Sequence, residues 1–511
     1  MFKKTLLLSL AASALLATNG VNLIGTSTVS RSMGGTGVAF FSHATEAMHK
    51  NVALIGDAKK DEFQFDMTYF NATLSNTVID GNPISTAGNG SADSQNMLDT
   101  NFIPSMTYVS RVDDDMVFGM AMIGAAGMAG NYEGDYPQRQ LKPGMMLMKI
   151  IPAVSYRQGN VTFGIAPVLG LGSMSLNYDE AYKDSNGNMY PTGTKPQSQR
   201  SGLFGTNIGG DTLVPALGFT AGIDIKVTEK LRIGASYNSS LKYTYSDVAN
   251  FSQFGPNGMV YMADEFLGGT LGGTPNQSIQ GGTLESDLSN KLQSSGVSQS
   301  VADATSSALL SLMPDSTIGA ALDATNPANL DDLTLEQPYE IALGFSYDVT
   351  KKMTVTADYR YIAWSQSVGY GDFGWEDQHV FALGAQYKAK HFTLRAGYNY
   401  ANSPIKDATG EFGSLLTDVQ GHYVFDQALS MLNLVGFPAI STTHFTAGLG
   451  YAFSEDIDFD FAIVYSPEST VSRSGTLLPL DFLYKGLSAF DYSYETKMQQ
   501  LSLSGGINYR F

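Results

Sequence analysis

The stretch from Tyr339 to Trp364, YEIALGFSYDVTKKMTVTADYRYIAW, alternates with period two on both sides of a short polar turn. Ile341, Leu343, Phe345, Tyr347 and Val349 share one face of the first arm, and Ala342, Gly344, Ser346 and Asp348 share the other. After Thr350, Lys351 and Lys352 the pattern resumes, with Met353, Val355, Ala357, Tyr359 and Tyr361 opposite Thr354, Thr356, Asp358 and Arg360. Two such arms joined by a tight turn predict a β-hairpin. One face is a continuous apolar and aromatic band; the other is small and polar, with Asp358 and Arg360 near its middle. A soluble sandwich can present this pair of faces, and so can a barrel whose outside meets lipid and whose inside meets water.

The N-terminus narrows the choice. Met1 to Ala17 carries Lys3 and Lys4, then the apolar run Leu6 to Leu16, and small or polar residues follow to Gly20. That is the layout of a secretory signal over residues 1–17, with cleavage expected between Ala17 and Gly20. Its apolar run is too short to span a bilayer, and no later segment offers the ~20 uninterrupted apolar residues of a transmembrane helix. An exported chain of this kind enters a membrane only as a closed barrel, because hydrocarbon offers no partner for an unpaired backbone group. Lys and Arg number 30 against 48 Asp and Glu, and the net charge of −18 argues against a nucleic acid held through its phosphates. Cysteine is absent, which excludes disulfides and thiolate chemistry.

The hairpin pattern recurs along the chain. Strands are expected near 62–74, 100–111, 115–125, 145–157, 161–177, 213–227, 231–247, 334–349, 353–368, 375–388, 391–403, 441–453, 457–468 and 495–511, about fourteen in all. Short turns at Val112–Asp114, Gln158–Asn160, Thr228–Lys230, Thr350–Lys352, Ala389–Lys390 and Ser454–Asp456 alternate with connections that are mostly long. That alternation marks an up-and-down barrel with one end toward the periplasm and one toward the outside. Several strands repeat the facing rule, among them Phe445, Ala447, Leu449, Tyr451 and Phe453 against Thr446, Gly448 and Gly450. Tyr108, Tyr156, Tyr237, Tyr243, Tyr387 and Tyr398 suit interfacial girdles. The last strand, ending at Phe511, is expected to close the sheet.

Residues 18–61 are too apolar for a loose tail and must pack somewhere. Arg31 to Phe40, RSMGGTGVAF, supplies glycines for tight turns, and Ser42 to Ile55 predicts a short helix with Ala44, Ala47, Met48 and Ile55 on one side. The longest connection, 249–332, concentrates Phe251, Phe254, Met259, Tyr261, Met262, Phe266 and Leu267, then predicts a helix or helix pair over Leu284 to Leu312. Many apolar side chains on an external loop need cover, from a local cap or from a ligand. Catalytic chemistry finds little support: His444 lies near Ser441 and Thr442 without an evident pair on one face. Asp184, Asn186 and Asn188 resemble a calcium loop only loosely, since Met189 stands where such loops need Gly, so no metal or other cofactor is expected.

Six stretches together carry a family resemblance: RSMGGTGVAF; FIPSMTYVSRVDDDMVFGMAMIGAAG from Phe102 to Gly127; LRIGASYNSSLKY from Leu231 to Tyr243; the opening hairpin with Trp364; FALGAQYKAKHFTLRAGYNYANSPI from Phe381 to Ile405; and the terminal GGINYRF. The chain resembles the FadL/TodX family of outer-membrane transporters for long-chain fatty acids and other hydrophobic compounds. The resemblance implies an all-β fold, a fourteen-stranded transmembrane barrel over 62–511 with a small helical hatch, residues 18–61, inside its lumen. It implies a monomer in the outer membrane of a Gram-negative bacterium, in contact with its lipid and with no enzymatic activity. It further implies capture of a fatty acid or another hydrophobic molecule by loops 178–211 and 249–332, an internal apolar site, and exit sideways through a kink in the third strand. Met33, Gly34, Gly35, Gly37 and Asn51 would belong to the hatch. Gly124, Gly127 and Gly130 would mark the lateral opening, since small residues weaken a strand. Phe251, Phe254, Met259, Met262, Phe266 and Leu267 would form the greasy landing site, and inward Lys242, Arg360 and Arg395 would pair with a carboxylate head or join lumen charge networks. One departure concerns gating: the family hatch carries Asn-Pro-Ala where this chain has Asn51, Val52 and Ala53. A general diffusion porin and a purely structural or adhesive barrel are the alternatives.

Overall fold

The computed structural model describes residues 19–80, 93–97, 101–129, 139–180, 182–183, 189–190, 207–249, 289–290, 293, 298–300, 302–303, 331–371, 374–405, 438–477 and 490–511. Among them, fourteen antiparallel strands close into a barrel. They are β1 (Glu62–Asp80), β2 (Asn101–Arg111), β3 (Met116–Ala129), β4 (Arg139–Gln158), β5 (Val161–Glu180), β6 (Asn207–Lys226) and β7 (Leu231–Asn238). The other seven are β8 (Glu340–Thr350), β9 (Met353–Ile362), β10 (Gln378–Ala389), β11 (Phe392–Ala401), β12 (Thr443–Ala452), β13 (Ile457–Leu477) and β14 (Phe490–Arg510). Closure is made by β1 and β14, in register from Glu62↔Arg510 to Thr77↔Glu495. A further short strand, Asp93–Met97, pairs with the upper part of β1.

Period two puts the large apolar side chains outside. Leu343 is 55% exposed, and Phe345, Phe381, Leu394, Phe445, Phe461 and Leu503 are exposed with it, whereas Ala342, Ser346, Thr356, Asp358 and Arg360 are buried. This inversion of the soluble pattern is the lipid-facing band of a membrane barrel. No helix among the described residues is long and apolar enough to cross a membrane. The lumen is filled by the hatch, whose helices α1 (Thr28–Ser32) and α2 (Ala44–Lys50) and 3₁₀ turn (Val52–Asp57) are buried almost throughout.

Three expectations change. The single helix over Ser42 to Ile55 is broken at Asn51, whose extended backbone ends α2 and whose side chain caps the 3₁₀ turn, and an unexpected short helix, α1, leads into the glycine turn. The expected strands 231–247 and 334–349 are each cut in two. Leu241–Ala249 and Asp331–Gln337 pair only with each other, as a separate ribbon beyond β7 and β8. Pro338 lies at one break, where it has no N–H for a ladder, and Ser239–Ser240 lie at the other. Tyr243 therefore leaves the girdle: it sits on the ribbon's buried face, against Gly170 and Gly172 of β5. The strand expected over 353–368 ends at Ile362, and a 3₁₀ turn follows at Trp364–Gln366. The 1–17 signal segment lies outside the described residues, and of the helix expected over Leu284 to Leu312 only helical residues 289–290, 293, 299–300 and 302–303 are described.

Candidate functional site

The hatch is held first by β1. Period two turns Glu62, Gln64 and Asp66 to the lumen, and each accepts a hydrogen bond from a helix start: Glu62 from Ala44 N (2.7 Å), Gln64 from Thr45 N (3.0 Å), Asp66 from Thr28 N (2.9 Å). First-turn amides have no partner within their own helix, so three wall side chains supply what the hatch lacks.

The glycine turn docks on the opposite wall. Gly34 and Gly35 have φ of 69° and 82°, a region that side chains disfavour. A Cβ at Gly34 would lie 2.5 Å from Tyr398 O of β11, and one at Gly35 would overlap Ile24 O. Gly34 N donates to Thr446 Oγ1 (2.9 Å), and Gly34 O accepts from Asn399 Nδ2 (2.9 Å). The N–H groups of Gly37 and Val38 both donate to Asp358 Oδ2, at 2.7 and 3.0 Å. Met33 is fully buried beside Val29 and Phe40. Asn51 Nδ2 donates to Val38 O (2.7 Å) and Ile223 O (3.0 Å), while its Oδ1 accepts from Ala53 N (3.1 Å). Val52 thus stands at the first position of a turn that Asn51 already caps, and proline is not needed to form it.

The lumen charges form networks. Arg395 donates to Asp460 (2.6 Å), which also meets His43 of the hatch (3.1 Å), and Arg360 pairs with Glu340 (3.2 Å). Both arginines face inward and are neutralised within the wall. Lys242 is on the exposed face of the ribbon, opposite buried Leu241, Tyr243 and Tyr245, which corrects its expected inward position. At the periplasmic end of the hatch, Asp57 is clamped by Arg157, Lys226 (2.8 Å) and Arg232, and Arg232 also binds Asp224 (2.5 Å). Burial alone would raise the Asp57 carboxyl, but the cations outweigh it and hold it below the usual carboxylate range. Deeper in the hatch, burial pushes Glu46 well above that range, with nearby Asp358 adding to it.

The third strand runs continuously from Met116 to Ala129, but its pairing changes at the small residues. The β2–β3 ladder stops at Ser105↔Ile123, and the β3–β4 register shifts between Gly124 and Ala126. The start of the hatch takes over as partner: Asn22 bridges Ala126, Leu23 N donates to Ala125 O (3.4 Å) and Gly127 N donates to Val21 O (3.1 Å). Gly124 and Gly127 therefore flank a segment of wall whose neighbour is hatch rather than strand. Gly130 lies outside the described residues.

Sequence reasoning missed an inner aromatic cluster. Trp364, Tyr370 and Trp375 form a triangle of rings with centroids 4.7, 5.0 and 4.9 Å apart. They join Met145, Leu147, Tyr243, Tyr245 and Leu335 in one apolar cluster with Val21 and Leu23 of the hatch. Trp364 closes on the hatch start so tightly that a Cβ at Gly20 would lie 2.6 Å from its Cζ2. The chain has only two Trp residues, and their convergence is the signal that was available. Phe251, Phe254, Met259, Met262, Phe266 and Leu267 lie outside the described residues.

A family model described as outer membrane protein transport protein (OMPP1/FadL/TodX) matches residues 7–412. Among solved structures, the toluene transporter TodX of Pseudomonas putida is similar over 95% of this chain and 99% of its own, at 16% identity and a TM-score of 0.56. A Pseudomonas aeruginosa FadL homologue is similar over 98% and 100%, at 15% identity and 0.55. The Ralstonia pickettii toluene transporter TbuX gives 95% and 98%, at 16% and 0.53. At such identities the likeness is one of fold. No curated protein matches the chain. With a family match across most of its length and a closed barrel that carries its apolar face outward, this chain belongs to the FadL/TodX family of outer-membrane transport proteins of Gram-negative bacteria.

Proposed function

We propose that the protein is a passive channel for hydrophobic molecules, taken up by its external loops, passed along the aromatic cluster and released sideways past the hatch. The observation that carries this is the junction of cluster and wall: Trp364 packs on Gly20, and the next hatch residues, Val21 to Leu23, replace the missing partner of β3 on one side. A molecule that displaces the hatch start from Trp364 would thus lie next to a gap in the wall. Each buried CH₂ contributes about 0.8 kcal/mol, enough to draw an acyl chain or an aromatic from water without an energy source. The apolar loop 249–332 supports a capture role, the toluene transporters of similar fold support aromatics as cargo, and the family resemblance of the sequence supports fatty acids. The protein works as a monomer in this reading, because cluster, hatch and gap all belong to one chain.

Mass spectrometry of purified barrels is expected to find co-purifying hydrophobic molecules, and proteoliposomes are expected to take up such molecules without ion conductance. A large steady conductance in planar bilayers, with no uptake, would identify a diffusion porin instead.

A further inference from the structure

The short periplasmic turns do not share their charge evenly. The turns that follow β6, β8 and β10 lie side by side, since Asp348 N donates to Lys230 O and Lys388 N donates to Lys352 O, both at 2.8 Å. Together these turns, 228–230, 348–352 and 388–391, hold five lysines against Glu229 and Asp348, in a chain whose net charge is −18. Across the rim, the turn between β2 and β3 reads Asp113, Asp114 and Asp115. One arc of the periplasmic rim is therefore cationic, and the arc below β3 is anionic.

Stiff turns hold the lysine tips in place. Thr228 Oγ1 accepts from Lys230 N (3.2 Å) and Leu231 N (3.0 Å), and Thr350 Oγ1 accepts from Lys352 N (3.2 Å) and Met353 N (3.1 Å), so the same hydroxyl clasp closes both turns. Lys390, with φ of 50°, is the only non-glycine residue in the left-handed region among the described residues, and it stands at the tip of the turn that joins Ala389 to Phe392. Lys230, Lys351, Lys352 and Lys390 are exposed, and none makes a side-chain hydrogen bond or ion pair among the described residues. Other cations at this end are taken: Lys60 pairs with Asp456 (2.5 Å), and Arg157, Lys226 and Arg232 pair with Asp57. Beside the free lysines the lipid-facing band ends in exposed Val349, Met353, Tyr387 and Phe392. Apolar and aromatic side chains so close in sequence to a cation place that cation at the level of lipid headgroups.

We propose that this arc binds anionic phospholipids of the periplasmic leaflet, with Lys230, Lys351, Lys352 and Lys390 on the headgroup phosphates and the acyl chains along the outer faces of β8 to β11. The depth of the lysines, at the edge of the lipid-facing band, favours a lipid over an acidic periplasmic protein. Repulsion by Asp113, Asp114 and Asp115 keeps the same lipids from the wall below β3, so the barrel sorts the leaflet around itself. This holds whatever molecule the barrel carries.

The test is tryptophan quenching by phosphatidylglycerol with brominated acyl chains, against phosphatidylcholine brominated in the same way, in vesicles that hold the full-length barrel. Tyr387→Trp reports the basic arc and Tyr108→Trp the acidic one, while Trp364 and Trp375 are buried and give a constant background. At position 387 the affinity for phosphatidylglycerol is expected to exceed that for phosphatidylcholine by at least about threefold, and the ratio is expected to fall toward one as salt is raised. At position 108 the ratio is expected to be one or less. Lys351→Gln with Lys352→Gln is expected to lose part of the preference at 387, and adding Lys230→Gln and Lys390→Gln to remove it, with heat-modifiable gel mobility showing a folded barrel throughout. Equal affinities at 387 would leave the arc to an acidic periplasmic protein and overturn the lipid. A preference of the same size at 108, or one at 387 that survives loss of all four lysines, overturns the proposal as well.

Discussion

The two halves of the wall hold the hatch with different proportions of hydrogen bonding and apolar packing. From β9 to β13 neighbouring strands pair without a register shift, and this half meets the hatch through directed hydrogen bonds: Thr446 and Asn399 on Gly34, Asp358 on Gly37 and Val38, Asp460 on His43. From β2 to β7 the wall is interrupted at Gly124–Ala126 and again past Ser239. This half also meets the hatch through hydrogen bonds, Asn51 Nδ2 to Ile223 O, Leu23 N to Ala125 O and Gly127 N to Val21 O, and adds apolar packing, with Met48 and Ile55 against Gly119 and Val52 and Ala53 against Gly164. Hydrogen bonds fix position, whereas apolar contact is non-directional and tolerates sliding. Apolar packing carries more of the contact on the side of β2 to β7, where both wall breaks lie, and we infer that the hatch shifts against that side. Asp57, clamped by Arg157, Lys226 and Arg232 of β4, β6 and β7, is the one ionic latch described there.

The largest effect is expected from a charge on the outer face of the continuous half. Leu343→Lys places an ammonium in hydrocarbon at a cost of roughly 2–4 kcal/mol near the midplane, and heat-modifiable gel mobility is expected to show little folded barrel. Normal assembly of this variant would invert the assignment of faces. Next comes the pinned turn. Gly35→Val combines a disfavoured φ with overlap on Ile24 O, costs roughly 3 kcal/mol, and is expected to unseat the hatch and open ion conductance in planar bilayers. Asp57→Asn is smaller, about 2 kcal/mol, and releases only the latch. The Asp57 carboxyl is held below its ordinary 3.8, so its stabilising contribution is full above that pH and is lost as pH falls through its lowered folded value. Proteolysis of the hatch is expected to rise on acidification below about pH 4 in wild type, and to be raised already at neutral pH in the Asn variant. Lys242→Ala, on the exposed ribbon face, is expected to change stability by less than ~0.5 kcal/mol and to leave uptake intact.

The continuous half was legible in the sequence, because period two with an apolar outside is written into every strand from Glu340 to Phe453. The broken half was legible only in part. Gly124 and Gly127 marked the β3 break, since small residues leave a strand without side chains to pack. The peeling of the ribbon was hidden because Leu241, Tyr243 and Tyr245 keep the alternation of a wall strand while turning it inward, and Pro338 was the one local cue. Arg360 and Arg395 were placed correctly in the lumen, yet their partners come from other strands, Glu340 and Asp460, and residue type alone cannot tell a paired cation from a free one. The hatch's polar docking was equally out of reach, because Asp358 meets Gly37 across 321 positions of chain.

The most direct test is to sew the hatch to the movable half. Asn22 and Ala126 face each other across an antiparallel bridge, and the chain has no other cysteine to interfere, so Asn22→Cys with Ala126→Cys offers a disulfide that closes the β3 break. Uptake of a hydrophobic molecule by proteoliposomes is expected to stop when this pair is oxidised and to return on reduction. Undiminished uptake through the oxidised barrel would contradict sideways release past the hatch.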